Sequence, residues 1–157
     1  MLTILYSEGD YTAADIAIRV QALAQGQGQQ LYVSPKHFGR NEESVKKALS
    51  KSKNALFIAF DKTTIDDKTL QEIKYLQSIP CKIYAIVPME MTLPNIPMDV
   101  YKFQSKNFSN FVEVVQNFIK HLSENNSKSP KNNQLLIGTG ILILSILLLS
   151  LFDNEKK

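Results

Sequence analysis

Residues 135–152 form an 18-residue stretch without a charged side chain, and this stretch restricts the architecture of the chain most strongly. At about 1.5 Å per residue, a helix of this length measures roughly 27 Å, close to the hydrocarbon thickness of a bilayer, about 30 Å. In water such a helix would have to be buried on all sides, in a core larger than this chain can build. We therefore predict one C-terminal transmembrane helix at 135–152, between a flexible polar linker (124–134) and a polar tail (153–157).

Most charged residues precede this stretch. Only two of the 18 Lys and Arg residues and two of the 15 Asp and Glu residues follow residue 131. The net charge of +3 is spread along the chain, apart from a cluster of lysines that is typical of the solvated face of a helix, at positions 46, 47, 51 and 53. Nucleic-acid-binding proteins usually concentrate basic residues on one face, so we predict no nucleic-acid partner.

Cys81 is the single cysteine, which excludes an internal disulfide and a cysteine-rich metal site. We predict no metal site. A lone cysteine is typical of a protein in a reducing compartment. Residues 1–6 lack the basic region and the cleavage site of a signal peptide. We therefore expect a single-pass membrane protein with its N-terminal domain in the cytosol. Lysines flank the apolar stretch on both sides, so charge alone leaves its orientation undecided.

Short apolar runs alternate with amphipathic segments through residues 1–123. The predicted strands are 2–6, 30–34, 55–60 and 82–87, with a short fifth strand at 100–103. The predicted helices are 13–24 with Thr12 as N-cap, one that begins at Asn41, 69–77 and 108–122. Continuous apolar strands that alternate with helices indicate a parallel sheet covered on both faces. The predicted class is therefore α/β, a flavodoxin-like, doubly wound parallel sheet of four to five strands.

Polar residues follow several of these strands. Ser7, Glu8 and Asp10 come after the first strand, His37 after the second and Asp61 after the third. Ligands of doubly wound proteins lie beyond the carboxyl ends of the strands. We therefore predict these five as ligand-binding residues.

Familiar nucleotide motifs are absent or incomplete. Gly26 and Gly28 follow a helix, so they do not form a dinucleotide fingerprint, and the chain contains no P-loop. The acids after the first and third strands partly match a response-regulator receiver site. The lysine expected after a later strand is missing, because the fourth strand runs into Val87 and Pro88.

The order of these elements, together with several segments, resembles a TIR (Toll/interleukin-1 receptor) domain. The similar segments are LYSEGD at 5–10, NEESVKKALSKSK at 41–53, the strand at 54–60, TLQEI at 69–73 and IPCKIYAIVP at 79–88. The similarity covers about residues 2–122, and the ordered set of motifs carries it. The resemblance implies a TIR-like domain over residues 1–123.

In enzymatic TIR domains, a glutamate on the third helix acts on the ribose of NAD while the nicotinamide bond breaks. Glu72 holds that position here, so the resemblance implies Glu72 as the catalytic residue of an NAD glycohydrolase, with Ser7, Asp10 and His37 near the pocket. A carboxylate there stabilises oxocarbenium-like charge on the sugar. The alternative is that Glu72 is an exposed helix acid that pairs with a nearby lysine.

Three functions remain open. The first is a membrane-anchored TIR-like protein of signalling or antiviral immunity that acts on or senses NAD-derived nucleotides, without a permanently bound cofactor. The second is a non-catalytic sensor of a nucleotide messenger, whose homo-oligomers cluster the transmembrane helices and perturb the bilayer. The third is a membrane-tethered adaptor that recruits partners.

Overall fold

The fold is known from a computed structural model that describes residues 1–26 and 28–126. The elements in these ranges are β1 (Leu2–Tyr6), α1 (Tyr11–Gly26), β2 (Leu31–Val33), α2 (Glu42–Leu49), β3 (Asn54–Ile58), α3 (Asp67–Gln77), β4 (Lys82–Pro88), β5 (Asp99–Phe103) and α4 (Phe108–Asn126). The predicted transmembrane helix and tail lie outside the described residues, as does most of the linker. No helix within the described ranges is long and apolar enough to cross a membrane.

The five strands form one parallel sheet in the order β2-β1-β3-β4-β5. Leu2 of β1 lies opposite Leu31 on one side and Asn54 on the other. The sheet therefore grows outward from β1 in both directions, which is the flavodoxin-like strand order. This arrangement confirms the predicted α/β class and the doubly wound parallel sheet.

Helices cover both faces of the sheet and create two hydrophobic cores. Because successive side chains of a strand point to opposite faces, Ile4 lies in one core and Leu5 in the other. The first core joins the sheet to α1 and α4, with Val20 fully buried in it. The second core joins the sheet to α2 and α3, where Leu49 and Ile73 are buried.

The last helix, α4, runs antiparallel to the strands. Phe111, in its first turn, packs against Phe103 at the end of β5, with ring centroids 5.0 Å apart. Phe118 lies further along and packs against Tyr101 and Tyr84. The chain therefore leaves α4 at the amino edge of the sheet, opposite the carboxyl edge where the strands end. The helix continues to Asn126, three residues into the segment predicted as linker.

Two helices begin earlier than predicted, and aspartates cap both. The amide of Ala13 donates to Asp10 at 3.0 Å, so Asp10 rather than Thr12 caps α1. At α3, the Asp66 side chain accepts from the amide of Thr69. The apolar periodicity begins two residues after the start of α1 and three after the start of α3, so it does not reveal these caps.

Candidate functional site

Glu72 is a buried carboxylate on α3, and its side chain is only 4% exposed. The hydroxyl of Ser34 donates to Oε1 at 2.6 Å, and the ammonium of Lys36 donates to Oε2 at 2.5 Å. Arg40 also donates to Oε1, from Nη1, at 2.5 Å. The expectation of an exposed Glu72 is therefore wrong. The acid does pair with a lysine, but it does so in the protein interior.

All three partners of Glu72 come from the segment of residues 34–41 that joins β2 to α2, named here the β2–α2 segment. The amide of Ser34 donates to the carbonyl of Ile4 at 3.2 Å, which holds the start of the segment against β1. Gly39 then turns the chain with φ of 75°, a conformation that glycine adopts without strain. The turn brings Arg40 back, so that its Nη1 also donates to the carbonyl of Pro35 at 2.8 Å.

Arg40 connects the buried acid to an exposed one. Its Nε and Nη2 donate to the two carboxylate oxygens of Glu42 at 2.8 and 3.0 Å. The Arg40 side chain is 4% exposed, whereas that of Glu42 is 66% exposed. Burial lowers the pKa of Arg40, but its hydrogen bonds to Glu42 and Glu72 outweigh burial and raise that pKa overall. The same contact holds the pKa of Glu42 below its ordinary value.

Lys36 is the second buried cation. Burial lowers the pKa of its ammonium group, and the interaction with Glu72 opposes this effect only in part. Its nitrogen also lies 6.0 Å from the centroid of the Tyr6 ring, at the end of β1. The site therefore holds two buried cations around one buried carboxylate, and Arg40 is also paired with Glu42.

Asp10 is also buried, at 1% exposure, and its carboxylate binds backbone amides. It accepts hydrogen bonds of 2.8 to 3.3 Å from the amides of Ala13, Phe60, Asp61 and Lys62. These bonds fasten the start of α1 to the connection between β3 and α3. The geometry explains a structural role, and a role of Asp10 in ligand binding stays a prediction.

Three further predicted ligand residues lie near the same junction. Ser7 is buried, and its hydroxyl donates to a backbone carbonyl of the β3–α3 connection at 3.3 Å. The carboxylate of Asp61 accepts from the amide of Thr12 at 3.0 Å. Glu8 has an exposed side chain, while its amide donates to Asp66 at 2.8 Å. Ser7, Asp10 and Asp61 are therefore brought together, with most of their polar atoms occupied by protein groups.

His37 lies apart from these residues, exposed on the β2–α2 segment beside a fully exposed Phe38. Within the described residues, no group of three or more His, Cys, Asp or Glu side chains is arranged to hold a metal ion. The predicted ligand residues thus fall into two sets. The junction of the β1–α1 and β3–α3 connections holds Ser7, Glu8, Asp10 and Asp61, and the β2–α2 segment holds His37.

Sequence reasoning missed Ser34, Lys36 and Arg40. A weak signal was available, because a serine and two cations follow an apolar strand within seven residues. Lysine and arginine in a connecting segment are usually solvated, so their burial was not expected. Only the position of Glu72 shows that these cations have a partner inside the domain.

A groove of about 190 Å³ opens between α2 and α3, and Arg40 and Glu72 form part of its wall. The carboxylate of Glu72 is engaged on both oxygens. A carboxylate that binds two cations has little uncompensated charge with which to stabilise a cationic sugar. An anion would have to replace Glu72 to bind these two cations.

Known proteins add no further identification. The chain matches no protein-family model and shows no significant similarity to a characterised protein. Its assignment to a type of protein therefore rests on the residues and the geometry described above.

Proposed function

We propose that this chain is a membrane-anchored, TIR-like signalling or defence protein whose α/β domain senses NAD-derived nucleotides. The observation that carries the proposal is the cluster of Lys36, Arg40 and Glu72 next to the carboxyl edge of the sheet. Doubly wound proteins bind nucleotides at this edge. The sequence resemblance supplies the TIR-like identity and the class of nucleotide, and the position of Glu72 on α3 is consistent with both.

The geometry favours sensing over cleavage. Glu72 accepts hydrogen bonds from two cations and one hydroxyl, so its charge is compensated before any ligand arrives. A catalytic carboxylate has to direct its charge at the reacting sugar. The carboxylate of Glu72 instead binds side chains of the β2–α2 segment. This contact is consistent with a role of Glu72 in holding the segment in place.

A phosphate group on the ligand would compete with Glu72 for its partners. Phosphate oxygens are acceptors of the same kind as carboxylate oxygens, and arginine binds both in the same forked geometry. Lys36 and Arg40 both belong to the β2–α2 segment, so their transfer to a phosphate would shift this segment relative to α3. In this proposal, that shift is the signal that a nucleotide has bound.

The proposed sensing edge and the end of α4 lie at opposite edges of the sheet. The chain leaves α4 at the amino edge of the sheet and continues toward residues 135–152, the proposed transmembrane helix. The cluster lies next to the opposite, carboxyl edge. One helix per chain cannot line a pore, so we propose that nucleotide-bound domains form homo-oligomers, which gather the helices in the bilayer.

An NAD glycohydrolase is the second candidate, and one observation favours it. Glu72 forms part of the wall of the groove between α2 and α3, so a ligand in the groove would lie beside this residue. If the β2–α2 segment withdrew Lys36 and Arg40, the freed carboxylate would face the ligand. In that case Glu72 would act on the ribose as the resemblance implies.

Binding and turnover measured together on the full chain in nanodiscs test the proposal. We expect NAD or ADP-ribose to bind without NAD consumption, and Arg40→Lys to weaken binding about tenfold because lysine lacks the forked geometry. Arg19→Lys is the matched control, since Arg19 is half-exposed and pairs with Asp15 on α1. Circular dichroism verifies that each variant is folded.

Each result separates the three functions. NAD consumption that is lost in Glu72→Gln would establish the enzyme instead of the sensor. If the chain neither binds nor consumes NAD, the membrane-tethered adaptor is the function that remains. Equal weakening by Arg40→Lys and Arg19→Lys would contradict a role for the cluster.

A further inference from the structure

The groove between α2 and α3 has an apolar floor. Val45 and Leu49 of α2 are 4% and 2% exposed, and the half-buried Tyr75 of α3 lies across from them. Its volume of about 190 Å³ lies below the range typical of pockets that enclose a whole ligand, about 300 to 1,000 Å³. The groove therefore suits one flat ring system, with the rest of a larger ligand outside it.

An aromatic ring and a cation face each other across this groove. The ammonium nitrogen of Lys46, on α2, lies 5.7 Å from the centroid of the Tyr75 ring, on α3. The ammonium group of Lys46 thus lies over one face of the Tyr75 ring. A planar ligand ring would stack on Tyr75 in place of the ammonium group, which would remain close enough to bind an anionic substituent.

The uncompensated charge around the groove is positive. Lys46 and Lys68 line it from opposite helices, and Lys68 has only a distant contact, 4.0 Å, with Glu8. The acid on the groove wall nearest to solvent, Glu42, is bound on both carboxylate oxygens by Arg40. This distribution favours an anionic ligand.

We propose that the groove is the subsite for the base of the nucleotide, with the ring on Tyr75 and the phosphate toward Lys46 and Lys68. This inference rests on the proposed function, since it takes the ligand to be a nucleotide. The inference requires a ligand in which a planar aromatic ring is joined to an anionic group. Val45, Leu49 and Tyr75 bind the ring, and Lys46 and Lys68 bind the anion.

Ligands with and without a base test this subsite on the full chain in nanodiscs. AMP and ADP-ribose carry an adenine ring, whereas ribose 5-phosphate carries the anion alone. Stacking of a base on an aromatic side chain contributes about 1 to 3 kcal/mol, so Tyr75→Leu is expected to weaken AMP binding by about 10-fold or more. Ribose 5-phosphate should bind the variant and the wild type equally.

Matched variants test whether the aromatic ring of Tyr75 itself contributes to AMP binding. Tyr75→Phe retains the ring and should retain the affinity for AMP. Tyr11→Leu alters an exposed tyrosine on α1, away from the groove, and should have no effect. Lys46→Ala should weaken AMP binding several-fold, whereas Lys47→Ala, on the same helix but outside the groove wall, should not.

The outcomes distinguish the two proposals. If adenine nucleotides bind the wild type but Tyr75→Leu binds them equally well, the base subsite is refuted and the sensing function stands. If Tyr75→Leu weakens ribose 5-phosphate as much as AMP, the ring is not the group that the groove recognises. If no nucleotide binds the wild type, both proposals fail.

Discussion

The ammonium nitrogen of Lys36 lies 2.5 Å from Oε2 of Glu72, and the two side chains are 5% and 4% exposed. Buried charges of this kind are tolerated only when they are paired and hydrogen-bonded, because water no longer solvates them. The pair joins the β2–α2 segment to α3, and Arg40 reinforces it. The folding of this part of the domain and the arrangement of the candidate site therefore depend on the same contacts.

Removal of the carboxylate should destabilise the domain strongly. Glu72→Ala leaves Lys36 in the interior without its acidic partner, while Arg40 retains Glu42. The loss of one member of a buried ion pair typically costs about 3 to 5 kcal/mol. We expect a decrease of this size in the free energy of unfolding, measured by urea titration of the full chain in detergent micelles and followed by circular dichroism.

The exposed Glu43 of α2 provides the control for this measurement. Glu43→Ala should change the free energy of unfolding by no more than about 0.5 kcal/mol, as is usual for surface positions. A loss below about 1 kcal/mol for Glu72→Ala would show that water compensates the buried cations, against the burial described above.

Asp10 should contribute more to stability than its neighbour Asp61. Asp10→Ala removes the acceptor for four backbone amides, and the loss of a helix cap alone costs about 1 kcal/mol. With one buried and three partly buried amides left without this acceptor, we expect a total loss of about 2 kcal/mol or more. Asp61→Ala removes one exposed acceptor and should cost under about 1 kcal/mol. Equal losses for the two variants, measured by urea unfolding, would argue against the structural role of Asp10.

Asp66 should make the domain sensitive to acid. Burial raises the pKa of its carboxyl, but hydrogen bonds from Thr69 and from the amide of Glu8 outweigh burial and hold that pKa below its ordinary value. The unfolded chain therefore binds a proton at this position at a higher pH than the folded chain does. The stabilisation by Asp66 is present above about pH 4 and is lost as the pH falls through the folded pKa.

Asp66→Asn isolates this contribution, because asparagine accepts hydrogen bonds at the helix N-terminus but does not titrate. The free energy of unfolding of the wild type should fall more steeply from about pH 5 to about pH 3 than that of the variant. Parallel curves for the two proteins would show that protonation of Asp66 does not contribute to acid sensitivity.

The thiol of Cys81 should react slowly. Burial raises its pKa to about 11, so little thiolate forms near neutral pH. With an ordinary thiol pKa of about 8.5, reaction with Ellman's reagent near pH 8 should be on the order of 100-fold slower than for free cysteine. The rate should approach that of free cysteine in urea, where burial is removed. A fast reaction of the folded protein would contradict the raised pKa of this half-buried thiol.

The elements of the fold were largely predictable from local patterns. The five strands and four helices were expected in their observed order, because apolar runs and helical spacing depend on residues close in sequence. Boundaries were less predictable. Phe60 was expected to end the third strand, but β3 ends at Ile58, and Phe60 instead stacks against Phe103 in the aromatic cluster of the first core.

The candidate site was predictable only in part. The position of Glu72 on the third helix followed from the resemblance, and the polar residues after β1 and β3 followed from the rule for doubly wound sheets. The sequence did not predict the roles of Ser34, Lys36 and Arg40, because the residues near them in the chain do not show which acid they contact. Asp10 was predicted as a ligand residue, although its hydrogen bonds to four backbone amides were not anticipated.

The sequence by itself determined the α/β class, the order of the elements and the uncharged stretch at residues 135–152, because each depends on composition and short-range periodicity. Only the tertiary structure decided what surrounds Glu72. Its three partners are 38, 36 and 32 residues away along the chain, and the pairing of β1 with β2 and β3 brings them together. Contacts of this range depend on how the elements pack, so the burial of Lys36 and Arg40 emerges only when the sheet and α3 are assembled.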